Sequence, residues 1–158
     1  MVISRKKNWT DKRIRAFTVE CFIAHWAYAI DGAGAIISIG QDILFGVGND
    51  GALKFSINGD ALKTEDGAIP IEIWSHVAIT RSLDYGETKM YINGTMVGNK
   101  KMLDNSLDGI EKMDFRIGQK NGGKKIDGLF AKEAFCGLIN ELSIYSLSFA
   151  VKMIKKLC

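Results

Sequence analysis

Cleavage of a glycosidic bond on a β-scaffold needs two carboxylates facing each other about 5–9 Å apart. A strand can present such a pair at positions i, i+2 or i, i+4. No ExDxE run supplies one here. The nearest acidic cluster, Glu65-Asp66, is a pair of adjacent residues whose side chains point to opposite faces of a strand, and Glu141 in INELSI stands alone. Nucleophilic chemistry fares no better. The chain has two histidines, His25 and His76, and no HExxH, GxSxG or phosphate-cradling glycine loop. His76 shares a strand face with Trp74, Ala78 and Thr80 and reads as structural. The three cysteines, Cys21, Cys136 and Cys158, lack metal-ligand spacing. Cys21 and Cys136 fall in strand patterns and read as buried free thiols, which behave as small hydrophobes. The residues point away from an enzyme.

Binding remains. Sugar sites combine aromatic faces with a few convergent polar groups on rim loops. Trp26, Tyr28 and Tyr85 lie at or near expected strand ends, with Asp31, Asn49 and Asp50 close by in turn sequences. These six are the candidate ligand-binding residues, each with a plainer reading as a packing aromatic or a turn former. A Ca²⁺ site needs several loop oxygens, carboxylates together with backbone carbonyls. Asp42, Asp108 and Asp114 could contribute.

Strands must position these groups. In IWSHVAIT, Trp74, His76, Ala78 and Thr80 alternate with Ser75, Val77, Ile79 and Arg81, the period of two of a strand. Lys89, Tyr91 and Asn93 alternate with Met90 and Ile92, and Asn93-Gly94 supplies the positive-φ pair of a tight hairpin before TMVG turns back. The stretch Ile73–Gly98 therefore reads as a meander with one wet face, and Trp74 reads as part of the core. Upstream, AFTVECFIAH is a strand, AIISIG and ILFGVG are short apolar strands, and Asn49-Asp50-Gly51 turns into ALKFSIN. Ala61–Ala68 is a weaker edge strand, Asn99–Lys112 a polar surface loop, and MDFRIG a strand. FCGLINELSIY is a long strand with Leu138, Asn140, Leu142 and Ile144 on one face. Beyond it the period changes: Leu147, Val151 and Ile154 follow at helical spacing behind Ser148, a short terminal helix. Nine to eleven strands, 17 glycines, one proline and no βαβ rhythm argue an antiparallel sandwich or barrel.

At 158 residues the chain is expected to hold one domain, residues 16–158, behind an arm, residues 1–15. The arm carries six basic residues against Asp11 alone, a balance of +5, so the remaining residues sum to −2 and the body is nearly neutral. Nucleic acid binding would rest on that arm only. No secretory signal pattern and no membrane-spanning apolar run is present in the sequence, and the compartment is left open.

Taken together, WSHVAIT, KMYINGTMVG, FRIG, FCGLINELSIY and the terminal LSFAVKMI, preceded by FTVECFI, AIISIG and ILFGVGNDGALKFSI, resemble laminin-G-like domains of the concanavalin A-like lectin and glucanase group, from Ala16 to Ile154. Pentraxins share the W-x-H-V pattern. The resemblance implies an all-β, antiparallel two-sheet jelly-roll β-sandwich, most often an extracellular or cell-surface module for carbohydrate or protein ligands. It also implies a calcium rim, with Asp42 in QDILFGV and Asp108 in the long loop as matching positions; Asn140 stands where the family usually has aspartate. The family's first strand has no equivalent in Met1–Arg15. Either the arm supplies it, the chain is a piece of a longer protein, or another chain fills the edge, giving a homo-oligomer by strand pairing. Three functions are weighed: a non-catalytic glycan-binding module, calcium-assisted or without cofactor; a structural or protein-interaction domain; and a glycoside hydrolase.

Overall fold

In the computed structural model, residues 15–29, 32–102, 113–119, 125–126, 130–131 and 134–145 are described. The terminal helix, most of the basic arm, and Asp31, Asp108 and Cys158 lie outside them. Twelve strands and no helix occur among the described residues: β1 (Ala16–His25), β2 (Ala33–Ile39), β3 (Ile43–Gly48), β4 (Leu53–Ile57), β5 (Asp60–Lys63), β6 (Ser75–Ser82), β7 (Glu87–Ile92), β8 (Thr95–Lys101), β9 (Phe115–Ile117), β10 (Lys125–Ile126), β11 (Phe130–Ala131) and β12 (Gly137–Tyr145). Ten of them form two antiparallel five-stranded sheets, ordered β12-β1-β6-β7-β8 and β5-β4-β3-β2-β9; β10 and β11 pair as a short ribbon.

The alternating apolar residues form the layer between the sheets. Phe17, Val19, Cys21 and Ile23 of β1 and Val77 and Ile79 of β6 meet Phe45 and Val47 of β3 and Leu53, Phe55 and Ile57 of β4. The Phe17 and Phe55 rings pack at 6.2 Å, a separation at which tilted aromatic pairs attract. The hairpins form where asparagine and glycine permit a left-handed backbone: φ is 49° and 77° at Asn93-Gly94, and 47° and 83° at Asn58-Gly59. Burial pushes the Cys21 thiol up to about 12, helped by the Glu20 charge beside it. Cys136, expected to be buried in a strand, is instead exposed just before β12, and both thiols are free.

Three expectations need correction. The meander has no wet face along β6, where Ser75 to Arg81 are all buried. On the outer side of that strand Tyr91 lies against the small Ala78, and His76 is bonded to Glu20 at 3.1 Å, with Tyr145 donating to the same carboxylate at 3.0 Å. On the inner side Arg81 donates to Thr88 Oγ1 at 2.7 Å. Second, β12 does not keep one apolar face. Between Glu20 and Phe22 of β1 the register slips by one residue of β12, at Glu141 with φ 52°. This bulge reverses the alternation, so Ile139, Leu142 and Ile144 pack toward the core while Leu138 and Asn140 are exposed. Third, β8 continues to Lys101 through part of the expected surface loop, and Lys100 crosses to Asp60 and to the Ala61 carbonyl of β5, tying the two sheets together.

Candidate functional site

The two ends of the sandwich differ. The distal end is where β1 finishes and β6 and β12 begin, since Ile23 pairs with Ser75 and His25 with Gly137. The segment before β6 is tied there by the Glu72 N–H, which donates to the His25 carbonyl at 2.8 Å. The segment before β12 is tied by the Trp26 N–H, which donates to the Cys136 carbonyl at 2.9 Å. Tyr28 OH donates to the Ile69 carbonyl at 3.3 Å, and Ile69 N–H in turn reaches Gly51 of the β3–β4 turn. Both sheets are thus stitched together at this end.

These ties push large apolar groups outward. Trp26 is 57% exposed and Trp74 is 48% exposed, with Ile71, Ile73 and Leu138 exposed beside them. The expectation that Trp74 belongs to the core is overturned. Ser75 is the first residue of β6, and the indole precedes the ladder on the outer face that His76 and Ala78 also take, away from the facing sheet. Glu72 between the two isoleucines adopts φ 60°, a backbone state that side chains other than glycine rarely take; its N–H bond to His25 holds it there. Exposed apolar groups gathered at one end make that end the candidate interaction site.

The sequence candidates divide between the two ends. Trp26, Tyr28, Asn49 and Asp50 lie at the distal end, since Asn49 N–H donates to the Gly32 carbonyl at 3.1 Å just before β2. Tyr85, 75% exposed, sits in the β6–β7 link beside the Arg15–Asp84 ion pair at the opposite end, about 30 Å away along the ten residues of β1. It does not join the other candidates. Tyr28 is half-buried, its ring 4.9 Å from that of His25.

Asp50 has a structural task. Its carboxylate accepts the Ala52 N–H at 3.0 Å and lies 2.7 Å from Lys63 Nζ and 3.2 Å from Lys54 Nζ. Burial alone would raise its pKa, but the bonds from Lys63, the Ala52 N–H and Lys54 prevail and hold it well below the usual carboxylate range. A carboxylate depressed in the folded state stabilises the fold fully above its unfolded pKa, near 3.9, and that contribution is lost progressively as the pH falls from there through the folded value. Asp50→Asn is expected to cost about 1 kcal/mol at pH 7 and progressively less from pH 4 downward, as read by thermal melts along a pH series.

Asp42 lies at the opposite end of β3. It is exposed, its carbonyl accepts the Asn58 N–H at 3.0 Å, and it edges an open groove of about 510 Å³ on the outer face of β3–β5, lined also by Leu44, Lys54, Ser56 and Lys63. Among the described residues no three His, Cys, Asp or Glu side chains gather as a metal site. No helix among them is long and apolar enough to cross a membrane.

The sequence reading missed Trp74 as a surface residue, Glu20 and Arg81 as buried polar groups, and the half-buried Tyr145 as a partner of Glu20. A signal for Trp74 was available: Pro70 and the unpatterned IEI before it place the indole at a strand entry.

A laminin G model described as the concanavalin A-like lectin/glucanases superfamily matches residues 5–155. No curated protein matches the sequence. Among solved structures, a Bacteroides ovatus protein thought to bind carbohydrate superposes with a TM-score of 0.75 at 20% identity, covering 98% of this chain and 43% of that one. The CBM40 of the Ruminococcus gnavus IT-sialidase, bound to α2,3 sialyllactose, gives 0.71 at 15% identity, covering 94% and 85%. The heptameric SAP-like pentraxin of Limulus polyphemus gives 0.63 at 20% identity, covering 90% and 69%. The chain spans less than half the length of the Bacteroides protein. At these identities the likeness establishes the fold.

Proposed function

The chain belongs to the concanavalin A-like lectin/glucanases superfamily, and from that premise we propose that it is a non-catalytic carbohydrate-binding module whose site is the distal rim. The observation that carries this reading is the pair of half-exposed indoles, Trp26 and Trp74, held at one end of the sandwich by the backbone ties of Glu72 and Trp26. An indole left in water gives up burial free energy, and its flat apolar face is the surface that stacks on a pyranose ring. Asn140, exposed two positions along β12 from the exposed Leu138, offers an amide to sugar hydroxyls. The likeness to carbohydrate-binding modules supports the same ligand class. Calcium forms no part of the proposal.

A glycan array probed with the protein, followed by calorimetry on the best oligosaccharide, tests this reading. Trp26→Ala and Trp74→Ala are each expected to weaken binding about tenfold, the loss of roughly 1.4 kcal/mol, and the double variant to abolish detectable binding. Stability should change by less than about 1 kcal/mol, because neither indole is buried. Binding of no sugar, or a double variant that binds like the parent, would reject the proposal.

One observation favours a second reading, a protein-interaction domain: edge strand β8 leaves Met96 and Val97 exposed. The same strand carries an extra residue, Val97, between the pairs Tyr91–Met96 and Met90–Gly98, together with an exposed Lys101. Bulges and lysines are the usual protection of a free edge, so the rim is the better candidate.

A further inference from the structure

The segments of the distal rim converge on His25, the last residue of β1. Its carbonyl holds the Glu72 N–H, its neighbour Trp26 holds Cys136, and its ring packs 4.9 Å from Tyr28 and 6.4 Å from Phe135. The ring is 1% exposed, and neither Nδ1 nor Nε2 has a hydrogen-bond partner among the described residues. A neutral imidazole tolerates such a slot at the cost of its unmet hydrogen bonds; an imidazolium there is a buried charge without an acceptor. Burial accordingly lowers the His25 pKa.

The ionisable groups around it do not compensate. On the Ile71–Trp74 segment Glu72 is exposed, and on the segment before β12 the Cys136 thiol is exposed. The Tyr28 hydroxyl is engaged with Ile69. Beyond Tyr28, Asp50 is held by Lys54 and Lys63. The ladder neighbours Ser75 and Gly137 carry no charge.

We propose that His25 is a positioning residue of the rim, and that its protonation releases the segments carrying Trp26 and Trp74, so that the rim is ordered at neutral pH and loosened by acid. The functional meaning rests on the rim being the binding site, but the switch itself does not need a ligand. Once the rim opens, the ring reaches water and titrates near 6.5. Protons therefore bind the open state more tightly. The ordered rim is fully favoured above that pH and loses ground as the pH falls below it.

Amide hydrogen exchange resolved at Trp26 and Glu72, the two donors that tie the rim, tests this at pH 7.5 and pH 5 after correction for intrinsic exchange. The parent is expected to lose about tenfold in protection at these two amides at pH 5, while Val77 and Ile79 of β6 stay protected. His25→Phe, which keeps a ring against Tyr28 and Phe135, and His25→Leu are both expected to show no pH-dependent loss. Equal protection in the parent at both pH values overturns the proposal. So does an equal loss in both variants, which would assign the effect to groups other than His25. Because no sugar is present, a positive result stands even if the glycan array is blank, and a negative one leaves the glycan reading intact.

Discussion

Phe45→Ala is expected to cost about 3–5 kcal/mol, the largest single-residue loss from the core. Phe45 is 1% exposed in β3, the middle strand of its sheet, and belongs to the cluster that also holds Phe17, Phe55 and Val77. Truncation removes the ring's transfer free energy and leaves a cavity that two hydrogen-bonded neighbours, β2 and β4, cannot collapse into. Against a typical stability of about 5–15 kcal/mol, the variant should unfold at a much lower urea midpoint with a similar slope. Trp74→Ala is the matched control. It removes a larger side chain but should shift the midpoint little, because the indole is half in water. A Phe45→Ala midpoint close to that of the parent would mean that the layer between the sheets is not the source of stability.

Gly137→Ala is expected to be almost as damaging, by a different route. A Cβ at Gly137 would lie 2.3 Å from the Ala24 carbonyl oxygen and 2.5 Å from the His25 Cα. Both are backbone atoms of the paired strand, so no side chain can swing aside; β1 and β12 must part. The expected cost is about 3 kcal/mol, accompanied by faster amide exchange along β12. Gly59→Ala makes the contrast: nothing lies within 4 Å of its Cβ, and only its left-handed φ of 83° resists substitution, at a cost of about 1 kcal/mol. Equal effects from the two substitutions would show that close strand approach at Gly137 is not limiting. Because Gly137 pairs with His25, its substitution should also loosen the rim.

The composition of the rim makes sense of a feature that strand patterns leave unexplained. His76 and His25 sit on opposite faces of the same sheet. His76 is matched with Glu20, which Tyr145 also engages, and reads as a satisfied buried polar group. His25 is buried without such a match among the described residues. An unmatched polar group is destabilising where it stands, and its position at the attachment point of the rim segments is where that cost can have a use.

Much of the architecture was legible in the order of residues. Period-two alternation in Phe17–Ile23, Leu53–Ile57 and Val77–Ile79, with Asn-Gly at two of the turns, marks strands and hairpins through local sterics alone, and the joint pattern identified the superfamily and the jelly-roll class. The candidate site was legible only in part: Trp26, Tyr28, Asn49 and Asp50 do share an end, whereas Tyr85 belongs to the other. Alternation says which face a side chain takes, but not what covers that face: His76 is buried beside Glu20 and Phe22 of β1, while Trp74 on the same face is left in water. Nor does it register a single inserted residue, and the bulge at Glu141 turned Leu138 outward and Ile139 inward. Faces and turns are set by neighbours in the chain; depth, register and the meeting of the His25–Trp26 end with the segment before β6 are set by contacts between strands about 50 and about 120 residues apart, and only the tertiary structure could decide them.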